Sequence, residues 1–320
     1  MAMTFGMHLG HVGGPMAEMR KLWRYADANG FDWFSSADHF QESPYRDGNG
    51  PCFEAISTMT AIALDTKHVK VGSLVICVNY RNPGVLAKAV CTIDHLSGGR
   101  CELGIGAGWH QHEYEGFGIP FERIGIRQDH LEEAVQILRM LFDQPLSNFK
   151  GQYFQLNDAR CNPKPIQKRL PIWVGGQGEK RTLRTAAKYA DGWNAPYIDP
   201  QTWKAKNAVL DDWCAKEGRD PKTLARTVNV GFYGGADAKG VARGEAIFNA
   251  HWGNRPERKG FFRGLPKDAL EMCQAYQAVG VQRVNLAFRE GPYDFEAIQA
   301  FAETVLPAFG ITRPEASGRA

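Results

Sequence analysis

Gly104-Ile105-Gly106-Ala107-Gly108-Trp109-His110-Gln111-His112-Glu113 follows directly on Cys101-Glu102-Leu103. A short, mostly apolar run feeds into glycines, and the glycines into His, His and Glu. A strand therefore ends in a turn whose backbone is bare enough for a ligand to lie against it, and polar side chains follow at once. Similar punctuation closes other apolar runs: Ser36-Ala37-Asp38-His39, Asn79-Tyr80-Arg81-Asn82-Pro83 and Gly175-Gly176-Gln177-Gly178. Several strand ends that carry polar groups point to one site assembled at one rim of a parallel β-structure.

Working outward, strand-like and helix-like segments alternate from end to end. Strands are expected over 4–9, 31–36, 69–78, 101–105, 171–174, 192–195, 227–233 and 283–288. Helices are expected over 16–29, 53–64, 83–96, 127–142, 180–189, 200–216, 244–250, 267–279 and 293–309, and 149–156 reads as a small hairpin excursion. In the first helix Met19, Leu22, Trp23 and Ala26 fall on one face and Gly30 ends it. Pro83 suits the first turn of another. Eight β/α units make an α/β TIM barrel with insertions at its C-terminal rim. A doubly wound sheet would place a Gly-x-Gly-x-x-Gly turn after strand one, and Gly10-His11-Val12-Gly13-Gly14 is not that pattern. One barrel over 1–310 with a flexible tail over 311–320 is expected. The cation- and aromatic-rich stretch 251–266 reads as a loop, either a lid over the rim or a solvated insertion.

The 320 residues are 43% hydrophobic and 23% charged with a net charge of +3, an ordinary globular balance. That small surplus and the lack of any Lys/Arg-rich run speak against nucleic acid as partner. Seven cysteines, an odd and scattered set without a Cys-x-x-Cys, read as reduced thiols and mostly core residues. The opening residues lack a signal-peptide pattern and no apolar run is long enough to span a membrane, so a cytoplasmic location is expected.

Three constellations carry chemistry. Gly175-Gly176-Gln177-Gly178-Glu179-Lys180 leads from a strand into a helix, and bare N–H groups there suit a phosphate, although a plain flexible turn reads equally well. Asp38-His39 at a strand end offers an imidazole for proton transfer, with the carboxylate controlling its orientation or charge; a structural histidine at a loop entry is the bland alternative. His8, His11, His110, His112 and Glu113 contain metal-ligating types, but His8-Leu9-Gly10-His11 does not form the tight pair a barrel metal site needs, so no metal is expected. Ser73-Leu74-Val75-Ile76-Cys77 reads as buried strand, and Trp109, Trp193 and Trp252 as packing residues. Neither a nucleophile elbow nor a Walker loop is present.

Together these motifs resemble the bacterial luciferase-like monooxygenase superfamily, and within it the coenzyme F420-dependent oxidoreductases. The resemblance runs from about residue 4 to 309. Its specific part is Gly106-Ala107-Gly108-Trp109 continued through Glu113-Tyr114 and Phe117-Gly118-Ile119-Pro120-Phe121. It implies a flavin or deazaflavin at the C-terminal rim of the barrel, and a homodimer. It also implies a cis peptide bulge behind the ring, by position Ser73–Leu74. The cofactor phosphate would meet the N–H groups of Gly176, Gln177 and Gly178, with Ala107 and Gly108 helping. The implied cofactor-binding set is Asp38, His39, Ser73, Leu74, Gly106, Ala107, Gly108, Trp109, Gly175, Gly176, Gln177 and Gly178, and the implied catalytic residues are His39 and Glu113. The sugar-phosphate-oxidising branch carries an acid where Trp109 stands, so reduction of an unsaturated organic small molecule is the expected reaction. FMN-dependent monooxygenation is the alternative within the fold. A metal-dependent barrel hydrolase, or a cofactor-binding barrel without turnover, is the alternative outside it. Arg46, Arg81, Arg123, Arg127, Arg255 and Arg263 are candidate partners for the anionic oligoglutamate tail of F420.

Overall fold

Eight fully or nearly fully buried apolar runs form the parallel strands β1 (Thr4–Leu9), β2 (Trp33–Ser36), β3 (Lys70–Ser73), β4 (Cys101–Gly106), β5 (Ile172–Gly175), β6 (Gly192–Pro196), β7 (Ala225–Phe232) and β8 (Arg283–Phe288). Burial on both faces is what a parallel sheet covered by helices requires. Each strand pairs with the next, and β8 returns to β1 in register from Thr4↔Arg283 to Leu9↔Phe288, so the sheet closes into the expected barrel. The computed structural model describes residues 3–10, 14–42, 48–253, 259–289 and 291–314.

Several helices start where the sequence supplies caps. Glu54 accepts the N–H groups of Ile56 and Ser57 ahead of Ala55–Asp65, Asn82 accepts Gly84 N–H ahead of Pro83–Leu96, and Asp199 caps Pro200–Lys216. A two-stranded antiparallel excursion, Ser147–Lys150 with Gln155–Ala159, stands where the hairpin is expected. Six of the seven cysteines are buried. Among the described residues no helix is long and apolar enough to cross a membrane.

Three local features differ from the sequence reading. The strand expected over 69–78 breaks after Ser73 and resumes as Ile76–Cys77, which pairs with β4 at Ile105 and Gly106. The cis peptide of this break joins Leu74 and Val75, one residue beyond the Ser73–Leu74 bond implied by the resemblance. Val75 packs against the ends of β4 and β5, where a Cβ at either Gly106 or Gly175 would stand 2.6 Å from its methyl groups. Second, the glycine turn after β4 is followed by a short helix, Gln111–Gly116. It escaped the sequence reading because six residues with polar neighbours give no periodicity to find. Third, the stretch 251–266 is not all loop: helix Ala238–Trp252 enters it, and Phe261–Phe262 pairs with the end of β7. Residues 254–258 of that stretch, and 315–320 of the expected tail, lie outside the described residues.

The N-terminal end of the barrel is plugged. Arg283 lies over the Trp33 ring at 4.0 Å and the Trp173 ring at 4.7 Å, and bonds Glu102 at 3.1 Å and Asp32 at 3.3 Å. The opposite rim, where the strands end in glycines and polar residues, is the one left for chemistry.

Candidate active site

His39 follows the end of β2, and Glu113 sits on helix Gln111–Gly116 after β4. The barrel brings them together across 74 positions: His39 Nδ1 lies 2.8 Å from Glu113 Oε2 and 2.9 Å from Oε1. Glu113 is fully buried, and its carboxylate also accepts the N–H groups of Phe40 at 2.9 Å and Gln41 at 3.0 Å, and the Tyr80 hydroxyl at 2.7 Å. Burial pushes the carboxyl upward, but the His39 ring, the Tyr80 hydroxyl and the Gln41 N–H outweigh it and hold Glu113 below the ordinary carboxylate range. An ionised carboxylate only accepts, so His39 Nδ1 carries a proton and Nε2 is the ring nitrogen that Glu113 does not hold.

The sequence reading gave the task of orienting His39 to its neighbour Asp38, and that is corrected here. Asp38 is buried and faces elsewhere: its oxygens accept Arg81 Nη1 at 2.5 Å, Arg81 Nη2 at 3.0 Å and the Cys77 N–H at 2.9 Å. This fork ties the end of β2 to the segment after β3. Arg81 Nη2 also bonds Glu54 Oε1 at 3.1 Å. Ser73 is fully buried, and its hydroxyl donates to Gly104 O at 2.8 Å. Leu74 N–H bonds Ser36 O at 3.0 Å.

Two glycine-rich turns end the neighbouring strands β4 and β5. At Gly108 φ is +73°, and a Cβ there would stand 1.9 Å from the Tyr114 hydroxyl, so only glycine fits. In the second turn Gly176 has φ of +130°. Its N–H bonds Asn194 O at 3.1 Å and its carbonyl accepts Trp193 Nε1 at 2.7 Å, which removes Gly176 N–H from the donors expected for a phosphate. The N–H groups of Gln177 and Gly178 have no acceptor among the described residues, and the Gln177 side chain is anchored to Pro196 O at 2.5 Å. A cavity of about 470 Å³ opens beside this turn, lined by Gln177, Gly178, Lys180, Arg181 and Thr182. A larger one of about 980 Å³ lies beyond the ends of β7 and β8, bordered by Phe232, Tyr233, Phe288 and Arg289; His39 and Glu113 do not line it.

The remaining candidates separate by environment. Trp109 is 56% exposed with its ring 5.6 Å from that of His39. Trp193 is fully buried, and Trp252 donates to the Tyr233 hydroxyl. His8 is buried against Ser35 Oγ at 2.9 Å, and burial together with the charges of His39 and Arg289 pushes its imidazole down to about 3. Burial also lowers His110, whose Nδ1 lies 3.9 Å from Glu113 Oε2. Among the described residues no three His, Cys, Asp or Glu side chains are grouped to hold a metal ion; His11, like Arg46 and Arg255, lies outside them. Arg123 is exposed, and Arg263 stands 3.5 Å from Glu245. Tyr80, Asn79 and Tyr114, which carry no role in the sequence reading, surround the His39–Glu113 pair and the Gly106–Gly108 turn: Tyr80 donates to Glu113, and Asn79 to Ala107 O and the Tyr114 hydroxyl. The polar run Asn79-Tyr80-Arg81 at a strand end was the available signal.

The profile of the luciferase-like monooxygenase family matches residues 2–300, and the chain belongs to that family. Membership places it among enzymes that depend on F420 or a flavin. It is 27% identical to the 5,10-methylenetetrahydromethanopterin reductase of Archaeoglobus fulgidus over 91% of this chain and 95% of that one. It is 34% identical to the F420-dependent glucose-6-phosphate dehydrogenase of Amycolatopsis mediterranei, over 52% of this chain and 47% of that one. In three dimensions it is similar to an F420-dependent secondary alcohol dehydrogenase solved with an F420-acetone adduct, at a TM-score of 0.85 and 22% identity over 97% and 99% of the two chains. It is also similar to the coenzyme F420-dependent tetrahydromethanopterin reductase of Methanopyrus kandleri, at a TM-score of 0.80 and 19% identity over 97% and 100%.

Proposed function

We propose that this chain is an F420-dependent oxidoreductase that moves a hydride between the deazaflavin and an organic small molecule, working as a reductase. The observation that carries the reading is the His39–Glu113 pair on the same rim as the glycine-rich turns that end the neighbouring strands β4 and β5. A relative named as a reductase, aligned over 91% of the chain, supports the direction.

The residues present fit such a cofactor. Gly106, Ala107, Gly108 and Trp109 on one side, and Gly175, Gln177 and Gly178 on the other, would hold it, with Gly176 shaping its turn through the bond to Asn194 O. The floor of bare backbone around Val75 suits a flat ring, because a side chain at Gly106 or Gly175 would collide with that valine. When bound, the deazaflavin supplies the hydride. The protein's part is acid–base and steric. Glu113 holds the His39 Nδ1 proton, the doubly protonated ring gives its Nε2 proton to the reduced substrate and is left as the neutral Nδ1–H tautomer, and the exposed Trp109 ring forms an apolar wall at the mouth.

Fluorescence titration of the purified apoprotein with F420 and with FMN tests the reading. F420 is expected to bind the more tightly, and Gly176→Glu to weaken it. Tighter FMN binding with oxygen-dependent turnover would favour the monooxygenase alternative, and binding of neither would end both. The homodimer implied by the family resemblance is tested by sedimentation, where a monomer at working concentration would remove it.

A further inference from the structure

We infer that Arg127 and Asn79 are positioning residues that shape the Gly106–Gly108 turn from behind, so that it receives the phosphate end of a flavin-type cofactor. This rests on the cofactor reading proposed above. Asn79 Nδ2 donates to Ala107 O at 2.8 Å, and Arg127 Nη1 donates to Gly108 O. Two successive carbonyls of the turn are thus drawn toward helix Ile124–Asp143 and the short Val78–Tyr80 turn. In a trans peptide the N–H points opposite to the C=O, so the N–H groups of Gly108 and Trp109 are turned the other way. Gly108 N–H has no acceptor among the described residues.

Asn79 cannot flip to undo this arrangement. Its Oδ1 lies 2.6 Å from His130 Nδ1, and its Nδ2 also bonds the Tyr114 hydroxyl at 3.1 Å. Arg127 adds charge. It is only 7% exposed, bonds Glu122 O at 2.9 Å and lies over the Phe121 ring at 4.2 Å, and among the described residues it pairs with no carboxylate. A buried guanidinium satisfied only by carbonyls and a ring keeps an uncompensated positive charge. An anion on the N–H side of the turn completes it, and the phosphate shared by F420 and FMN has that charge and the acceptor oxygens.

The test compares phosphorylated and phosphate-free ligands: FMN against riboflavin, by fluorescence titration of wild type, Arg127→Met, Arg127→Lys and Asn79→Ala. Arg127→Met is expected to weaken FMN about 10-fold or more while riboflavin changes less than about 2-fold, with Arg127→Lys recovering part of the loss. Asn79→Ala is expected to lie between. Equal loss for both ligands means general loosening and overturns the inference, as does no loss. A wild type that binds neither ligand nor F420 sinks the cofactor reading itself, and this inference with it. Should Arg127→Met not fold, amide hydrogen exchange of wild-type residues 104–111 decides: slowing by FMN and not by riboflavin is expected, and equal exchange with both overturns it.

Discussion

Glu113 grips His39 through Nδ1, with 2.8 and 2.9 Å to its two oxygens, and it does so from inside a carboxylate cage that no solvent reaches. The grip fixes which imidazole nitrogen carries a proton toward Glu113. Replacing His39 with Ala is expected to lower turnover by about 10²-fold or more, while cofactor affinity changes little. Glu113→Gln, which keeps an acceptor but loses the charge, is expected to fall between wild type and His39→Ala. Steady-state kinetics with a verified substrate checks the order; His39→Ala with full activity would remove the proton-transfer role.

Tyr80 is the hydroxyl donor to that buried carboxylate. Tyr80→Phe leaves one charge-assisted bond unmade and is expected to cost about 1–3 kcal/mol. The pH dependence follows from the sign of the Glu113 shift. A carboxyl held low in the folded state adds stability above its unfolded value, and that stability is lost as pH falls through the folded value. Without the hydroxyl the folded value rises, so the variant is expected to lose stability at higher pH than wild type. Urea denaturation between about pH 3 and 8 measures both effects.

His8 is a buried neutral imidazole held down to about 3, against 6.5 for an unperturbed ring. The unfolded chain binds a proton there that the folded chain refuses. The contribution is therefore full above pH 6.5 and is lost as pH falls toward 3. Over that window it falls by about 1.4 kcal/mol per pH unit. His8→Asn is expected to flatten the stability curve in that window and to leave it unchanged above pH 7. A parallel curve in both proteins would refute the assignment.

At the closed end of the barrel, Arg283 neutralises Glu102, with both residues less than 10% exposed. Arg283→Met keeps the packing between Trp33 and Trp173 and leaves the Glu102 carboxylate with only the longer Lys70 contact, at 3.8 Å. A loss of about 3–5 kcal/mol is expected, with cofactor affinity at the opposite rim unchanged in the protein that remains folded. Thermal or chemical denaturation alongside a cofactor titration separates the two ends.

The legible parts of this protein are those written in local pattern. Apolar runs of strand length alternating with helical periodicity gave eight β/α units, and caps such as Asn82-Pro83 fixed where helices start. The glycine turns at Gly108 and Gly176 were legible because positive φ leaves glycine as the residue that fits. Where the sequence reading failed, it failed on partners. Asp38 was paired with its chain neighbour His39, because adjacency is all that a sequence offers; the fold turned Asp38 to Arg81 and filled its place with Glu113 from 74 positions away.

Composition, periodicity and turn chemistry, which act within a few residues, were enough to specify a closed α/β barrel with its chemistry at the glycine-bearing rim. The identity of the carboxylate on His39, the consumption of Gly176 N–H by Asn194, and the buried Arg127 behind Gly108 belong to the tertiary structure. These are contacts between different β/α units. Their geometry is set by barrel closure and by the rule that buried polar groups find partners wherever the fold provides them, and neither is encoded in the spacing along the chain.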